Sequence, residues 1–216
     1  MATSHSDIDV YVIYDERTRV AWHQIDLPGL DVGTYRLETF SAPALFTDNP
    51  DRWWNRYSLT HSRVLIDKLD GRTKKYADAH ATLSPDEAAV VLPAALDDYI
   101  NLAIRSLKSA RDARPFESRL DAVESIGYAL LSIYSLERRI RRFNKYLRWD
   151  LEHFPLGNPE FEAGRLLELL GTIQSESSPG AQRALFSLIE ETARRNGLGG
   201  VIDSWGNDLR VFSSPL

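Results

Sequence analysis

The apolar residues of this chain change their period once, near Ser84, and the change divides a sheet-forming part from a helix-forming part. Ser84-Pro85-Asp86-Glu87 has the form of a helix start, with an N-cap serine, a proline in the first turn and a glutamate placed to complete a capping box. Beyond it the period is helical: Ile126, Leu130, Ile133 and Tyr134 form one stripe, Leu166, Leu169, Leu170 and Ile173 a second, and Leu185, Leu188 and Ile189 a third. Ser178-Pro179 opens the last long helix and Gly197 stops it. Breaks at Arg114-Pro115, at Phe154 to Gly157 and at Ser175 to Gly180 separate the elements. The expectation is an α+β chain: a small mixed β-sheet domain over residues 1–80, then a bundle of four or five helices over 81–216.

Before Ser84 the period is two. Asp7 to Tyr14 alternates and is rich in β-branched residues, which predicts a strand. Val20 to Ile25 predicts a second strand, Leu27-Pro28-Gly29 a turn, and Leu30 to Leu37 a third strand. Successive strand residues face opposite sides, so Asp7 and Asp9 share one face with Tyr11. Two carboxylates so placed repel, and a hard cation such as Mg²⁺ relieves the repulsion. On spacing alone the pair is either a metal site or a strand end whose acids face water. Asp48-Asn49-Pro50 predicts a helix start, with Trp53, Trp54 and Tyr57 behind it as packing residues. Val64 to Asp67 predicts a short strand and Asp70-Gly71 a turn.

Charge is uneven along the chain. The net charge is −5, yet residues 101–150 carry 11 Lys and Arg against 6 Asp and Glu, and the rest carry 15 against 25. An acidic front and a basic middle suit a metal–phosphate site shared by two halves. Overall acidity argues against an extended nucleic-acid surface. Arg105 and Lys108 fall on one face of a predicted helix, and Arg141, Lys145 and Arg148 on one face of another. These cations bind phosphate oxygens, or they form a solvated face and ion pairs to Asp121 and Glu124. The histidines (His5, His23, His61, His80, His153) show no metal-ligand spacing. The absence of cysteine excludes disulfides, thiolate metal sites and cysteine nucleophiles, and fits a cytoplasmic protein. No apolar run reaches the length of a membrane span. No Walker-type loop, Gly-x-Ser-x-Gly or Gly-x-Gly-x-x-Gly occurs.

Ser6-Asp7-Ile8-Asp9-Val10-Tyr11-Val12-Ile13 resembles the Asp-x-Asp segment of the nucleotidyltransferase superfamily related to DNA polymerase β, which includes the aminoglycoside and lincosamide nucleotidyltransferases. Tyr99-Ile100-Asn101, Arg105 to Lys108, Arg119 to Ser125 and Asn144 to Leu147 resemble bacterial nucleotidyltransferase-domain proteins that pair the catalytic sheet with a helical C-terminal domain. The resemblance implies a third carboxylate from a neighbouring strand. Asp31, between two apolar residues, takes that place, with Asp26 the alternative. It also implies a Gly-Ser turn ahead of the first Asp; the sequence begins at Met1 without one, and impaired transfer is the expectation.

On this reading Asp7, Asp9 and Asp31 hold one or two Mg²⁺ ions. Arg105, Lys108, Arg141 and Lys145 contact an NTP, and a hydroxyl of a small acceptor receives the nucleoside monophosphate. Asp31 or Glu124 takes the acceptor's proton. A homodimer is compatible with this reading. The alternatives are a catalytically inactive nucleotide-binding protein of the same fold and a structural or partner-binding protein, antitoxin-like in role.

Overall fold

A computed structural model describes residues 6–15 and 28–213, together with the backbone alone at residues 50 and 51. The expected strand over Val20–Ile25 and the alternative carboxylate Asp26 lie outside the described residues. The chain divides into two compact units, Met1–Ala81 and Thr82–Leu216.

In the first unit, β1 (Ile8–Tyr14) and β2 (Leu30–Arg36) form a two-stranded parallel sheet. The β-branched alternation of β1 suits a pleated, half-buried surface, and every residue from Val10 to Tyr14 is half-buried. One sheet face turns Tyr11, Ile13 and Tyr35 onto a small core of Phe40, Leu59 and Ala77. Phe40 comes from α1 (Leu37–Ser41), which follows β2 directly, and Ala77 from α3 (Arg72–Ala81). Gly33 faces Tyr11 across the ladder, and a Cβ there would meet the tyrosine ring at 2.8 Å. The glycine makes room for the ring to cross the neighbouring strand.

The predicted helix start near Pro50 is α2 (Pro50–Trp54), with Asn49 Oδ1 accepting the Arg52 N–H at 2.9 Å. Trp53 is buried, its ring edge-on to Phe46 and Trp54, which is packing rather than a stacking platform. Buried Arg56 donates to the carbonyls of Ala79, His80 and Ala44, so a guanidinium closes the C-terminal turn of α3. Val64 to Asp67 is not a strand. Leu65 and Ile66 are 78% and 76% exposed in a loop, and Asp67 accepts from the Leu69 N–H and the Thr73 hydroxyl ahead of α3. A short apolar run without a ladder partner has nothing to hold it extended.

Every element of the second unit among its described residues is a helix, apart from one bridge between Thr82 and Arg139. Its frame is the hairpin of α4 (Pro85–Arg111) and α5 (Pro115–Leu136). The capping box of α4 is complete: Ser84 Oγ accepts the Glu87 N–H at 3.1 Å, and Glu87 accepts the Ser84 N–H at 2.9 Å. Behind the hairpin lie α6 (Leu147–His153), α7 (Ala163–Glu176), α8 (Pro179–Arg195), α9 (Gly199–Asp203) and α10 (Arg210–Ser213). The three apolar stripes meet in one continuous core, with Ile133, Leu185 and Ile189 sealed from solvent. Ser178 Oγ accepts the Ala181 N–H, and Gly197 ends α8 with φ +82°.

One helical expectation fails. The run from Arg138 to Phe143 is not helix; the chain turns at Arg138 (φ +54°), crosses to the Leu83 backbone, and re-enters helical geometry at Asn144–Tyr146 and α6. Arg141, Lys145 and Arg148 therefore do not share a helix face.

Candidate functional site

The parallel register sets Asp9 beside Asp31. Neighbouring strands lie about 4.8 Å apart and registered residues face the same side, so the two carboxylates are lateral neighbours. Asp7 lies two residues before Asp9 on the same side. This is also the side that carries Tyr11, Ile13 and Tyr35 to the core, so the acids continue the buried face outward to solvent. All three are exposed. They sit at the amino ends of the two strands, where the Ile8 N–H donates to the Gly29 carbonyl at 2.8 Å. Gly29, with φ +76°, makes the turn that brings Asp31 into register.

Behind the acids the tyrosines form a wall. The rings of Tyr11 and Tyr35 are 5.4 Å apart, and Tyr35 touches Phe40 at 5.8 Å. Burial, and then the neighbouring Tyr11, raise the Tyr35 phenol above its ordinary value, so it stays a neutral hydroxyl.

Among the described residues no group of three His, Asp or Glu side chains is placed to hold a metal ion by itself. Mg²⁺ does not require such a cage. It commonly keeps several waters and takes one or two carboxylates together with substrate phosphates. An exposed pair of carboxylates on adjacent strands fits that habit, with Asp9 and Asp31 as the pair and Asp7 flanking it.

The basic residues of the helical unit make contacts within that unit. Arg105 and Lys108 share a face of α4, but Arg105 pairs with Asp121 at 3.3 Å and Lys108 with Asp208 at 2.8 Å. Arg148 pairs with Glu152. Arg141 donates to Asn144, and Lys145 lies over the Tyr146 ring at 4.7 Å. Glu124 is exposed on α5.

Two features escaped the sequence reading. The first is a buried network: Tyr134 Oη donates to Asp150 Oδ2 at 2.7 Å, and Arg139 donates to the same oxygen at 3.0 Å while crossing the Tyr134 ring. Burial, then Asp150, hold the Tyr134 phenol far above its usual range. The second is Arg142, which lies over both Tyr146 and Trp149. The adjacent arginines at 141 and 142, followed by Tyr146 and Trp149, are the sequence signal for it. No family model, curated protein or solved structure matches this chain.

Proposed function

We propose that the chain is a Mg²⁺-dependent nucleotidyltransferase whose metal–nucleotide site is built on Asp9 and Asp31, with Asp7 beside them. The observation that carries this reading is the register: it brings together two carboxylates that are remote in sequence, in line with an Asp-x-Asp pair. When bound, the metal neutralises charge on the α-phosphate and the departing pyrophosphate. Asp9 and Asp31 would hold that metal at the amino ends of the strands. The acceptor oxygen forms a bond to the α-phosphorus as the bond to pyrophosphate breaks, and Asp31 accepts the acceptor's proton. Tyr11 and Tyr35 close the core side of the site to water.

The exposure of all three acids favours one second reading: metal–nucleotide binding without transfer. The two are separated by pyrophosphate release from each NTP in Mg²⁺ buffer, with pooled aminoglycosides and lincosamides as acceptors. Release that disappears in Asp9→Asn and Asp31→Asn supports transfer. Mg²⁺-dependent nucleotide affinity that Asp9→Asn removes, without any release by the parent chain, supports binding alone. Nucleotide affinity indifferent to Mg²⁺ and to both substitutions overturns both.

A further inference from the structure

We propose a second anion site, in the helical unit, formed by Arg141, Arg142 and Lys145, and we assign it to a phosphate chain: a di- or triphosphate, free or esterified. This inference does not rest on the nucleotidyltransferase reading.

The segment after α5 holds six cations between Arg138 and Arg148, and the structure sorts them. Three have internal work. Arg138 donates to the Leu83 carbonyl, Arg139 holds Asp150 and the Phe154 carbonyl, and Arg148 pairs with Glu152. The other three meet no carboxylate among the described residues, Arg141 donating only to the neutral Asn144 amide oxygen, and the acids nearby are already engaged, Asp150 by Tyr134 and Arg139, Glu152 by Arg148.

Two of the three are half-buried. Arg141 and Arg142 each carry an Nε atom that is sealed from solvent and has no hydrogen-bond partner. Burial lowers the Arg141 guanidinium below its ordinary value, which reflects the cost of holding that charge away from water. A buried donor without an acceptor is unfavourable, and two adjacent cations in that state compound the cost. An oxyanion bound at the outer guanidinium nitrogens would offset the charge that burial leaves uncompensated.

The geometry also prepares a ligand-ready fork. Arg142 is held with its guanidinium carbon 4.6 Å from the Tyr146 ring centroid and 5.3 Å from that of Trp149, and Trp149 is backed by His153 stacked at 5.1 Å. Lys145 lies on the same Tyr146 ring at 4.7 Å. A guanidinium held against two rings has already lost rotamer freedom that binding would otherwise remove. Two planar forks and an ammonium sum to three positive charges, which match a di- or triphosphate better than a single carboxylate. The rings are occupied by these cations and by His153, which leaves no free platform for stacking bases, so the phosphates themselves are the recognised group.

The test is calorimetric titration of the full chain with sodium tripolyphosphate and, separately, with ATP. Both are done in EDTA at low ionic strength, with sodium sulfate at matched ionic strength as control. Saturable binding of tripolyphosphate or ATP, absent with sulfate, is expected. Equal affinity for the two identifies the phosphate chain as the ligand, and tighter binding of ATP identifies a nucleotide as its source. Arg141→Gln/Arg142→Gln should weaken binding about tenfold or more, and Asp9→Asn should leave it unchanged. Where the double variant fails to fold, Lys145→Gln, at an exposed position, should still weaken binding about threefold or more. No binding in EDTA, or affinity unchanged in the variants, overturns the site. Loss in Asp9→Asn alone does the same by moving the phosphate to the sheet. The nucleotidyltransferase reading stands or falls separately, on Mg²⁺-dependent pyrophosphate release.

Discussion

The sheet unit and the helical unit bury their side chains on different scales. The helical unit joins α4, α5, α7 and α8 through one continuous core, and serines cap the N-termini of α4 and α8. The cluster beneath the sheet consists of Phe40, Leu59 and Ala77, with tyrosines and Ile13 leaning on it. Because hydrophobic stabilisation scales with the apolar area removed from water, the helical unit carries most of the chain's stability. The acids of the proposed catalytic site therefore rest on the weaker scaffold, while the cations of the second site are held by rings against the stronger one.

The largest effect that could break this comparison is the loss of a central core side chain from each unit. Phe40→Ala, at 1% exposure, should cost about 3–5 kcal/mol and melt the sheet unit first. Helical circular dichroism would persist to a later transition. Leu185→Ala should cost about 2–5 kcal/mol and move that later transition. A single shared transition in both variants would show that the units stand or fall together.

A smaller change sharpens the comparison within the sheet. Gly33→Ala forces the Tyr11 ring aside and should cost about 1–3 kcal/mol in urea unfolding. It should also remove the chemical-shift coupling between the Tyr11 and Tyr35 rings. Smaller again is Ser84→Ala, which deletes the capping box of α4 and should cost about 1 kcal/mol, read as a shift of the later transition only.

The smallest effect is a titration. The Gly164 and Arg165 N–H groups donate to Glu162 and hold its carboxyl below the ordinary value. A group whose folded value is depressed stabilises the fold above its unfolded value and loses that contribution as the pH falls through the folded one. Acidification below about pH 4 should therefore fray the first turn of α7, seen as lower amide protection factors at Gly164 and Arg165. Glu162→Gln should remove the pH dependence.

What could be read from the sequence was what neighbouring residues decide. The alternation of β1, the Ser84 box, the three stripes and the Ser178 and Gly197 ends are local signals, and the structure has them. Two elements were misread because tertiary contacts decide them. Leu136 to Arg142 contains good helix formers and no glycine or proline, so nothing in the residues marks a stop. The helix ends because Arg138 enters a left-handed turn and its carbonyl accepts the Leu83 N–H at 2.9 Å. Val64 to Ile66 reads as a strand only if a partner strand exists. At the candidate site, residue types suggested Asp31, but its place beside Asp9 is a matter of register, which no single strand specifies. Arg105 takes Asp121, one of the two acids the residues offered as ion-pair partners, whereas Lys108 takes Asp208, far along the chain, and no local spacing marks that pair.

The parallel pairing of β1 with β2 has a kinetic consequence. Parallel strands cannot be closed by a tight turn, so the chain between Tyr14 and Leu30 must cross over before any ladder bond forms. The α4–α5 hairpin closes across Asp112 to Arg114 and gains contacts as fast as its helices grow. Loop closure that must precede its reward is slow, whereas local contact is fast. During synthesis the sheet residues emerge first, yet the hairpin that follows them should reach its native packing sooner, and the proposed catalytic carboxylates meet last.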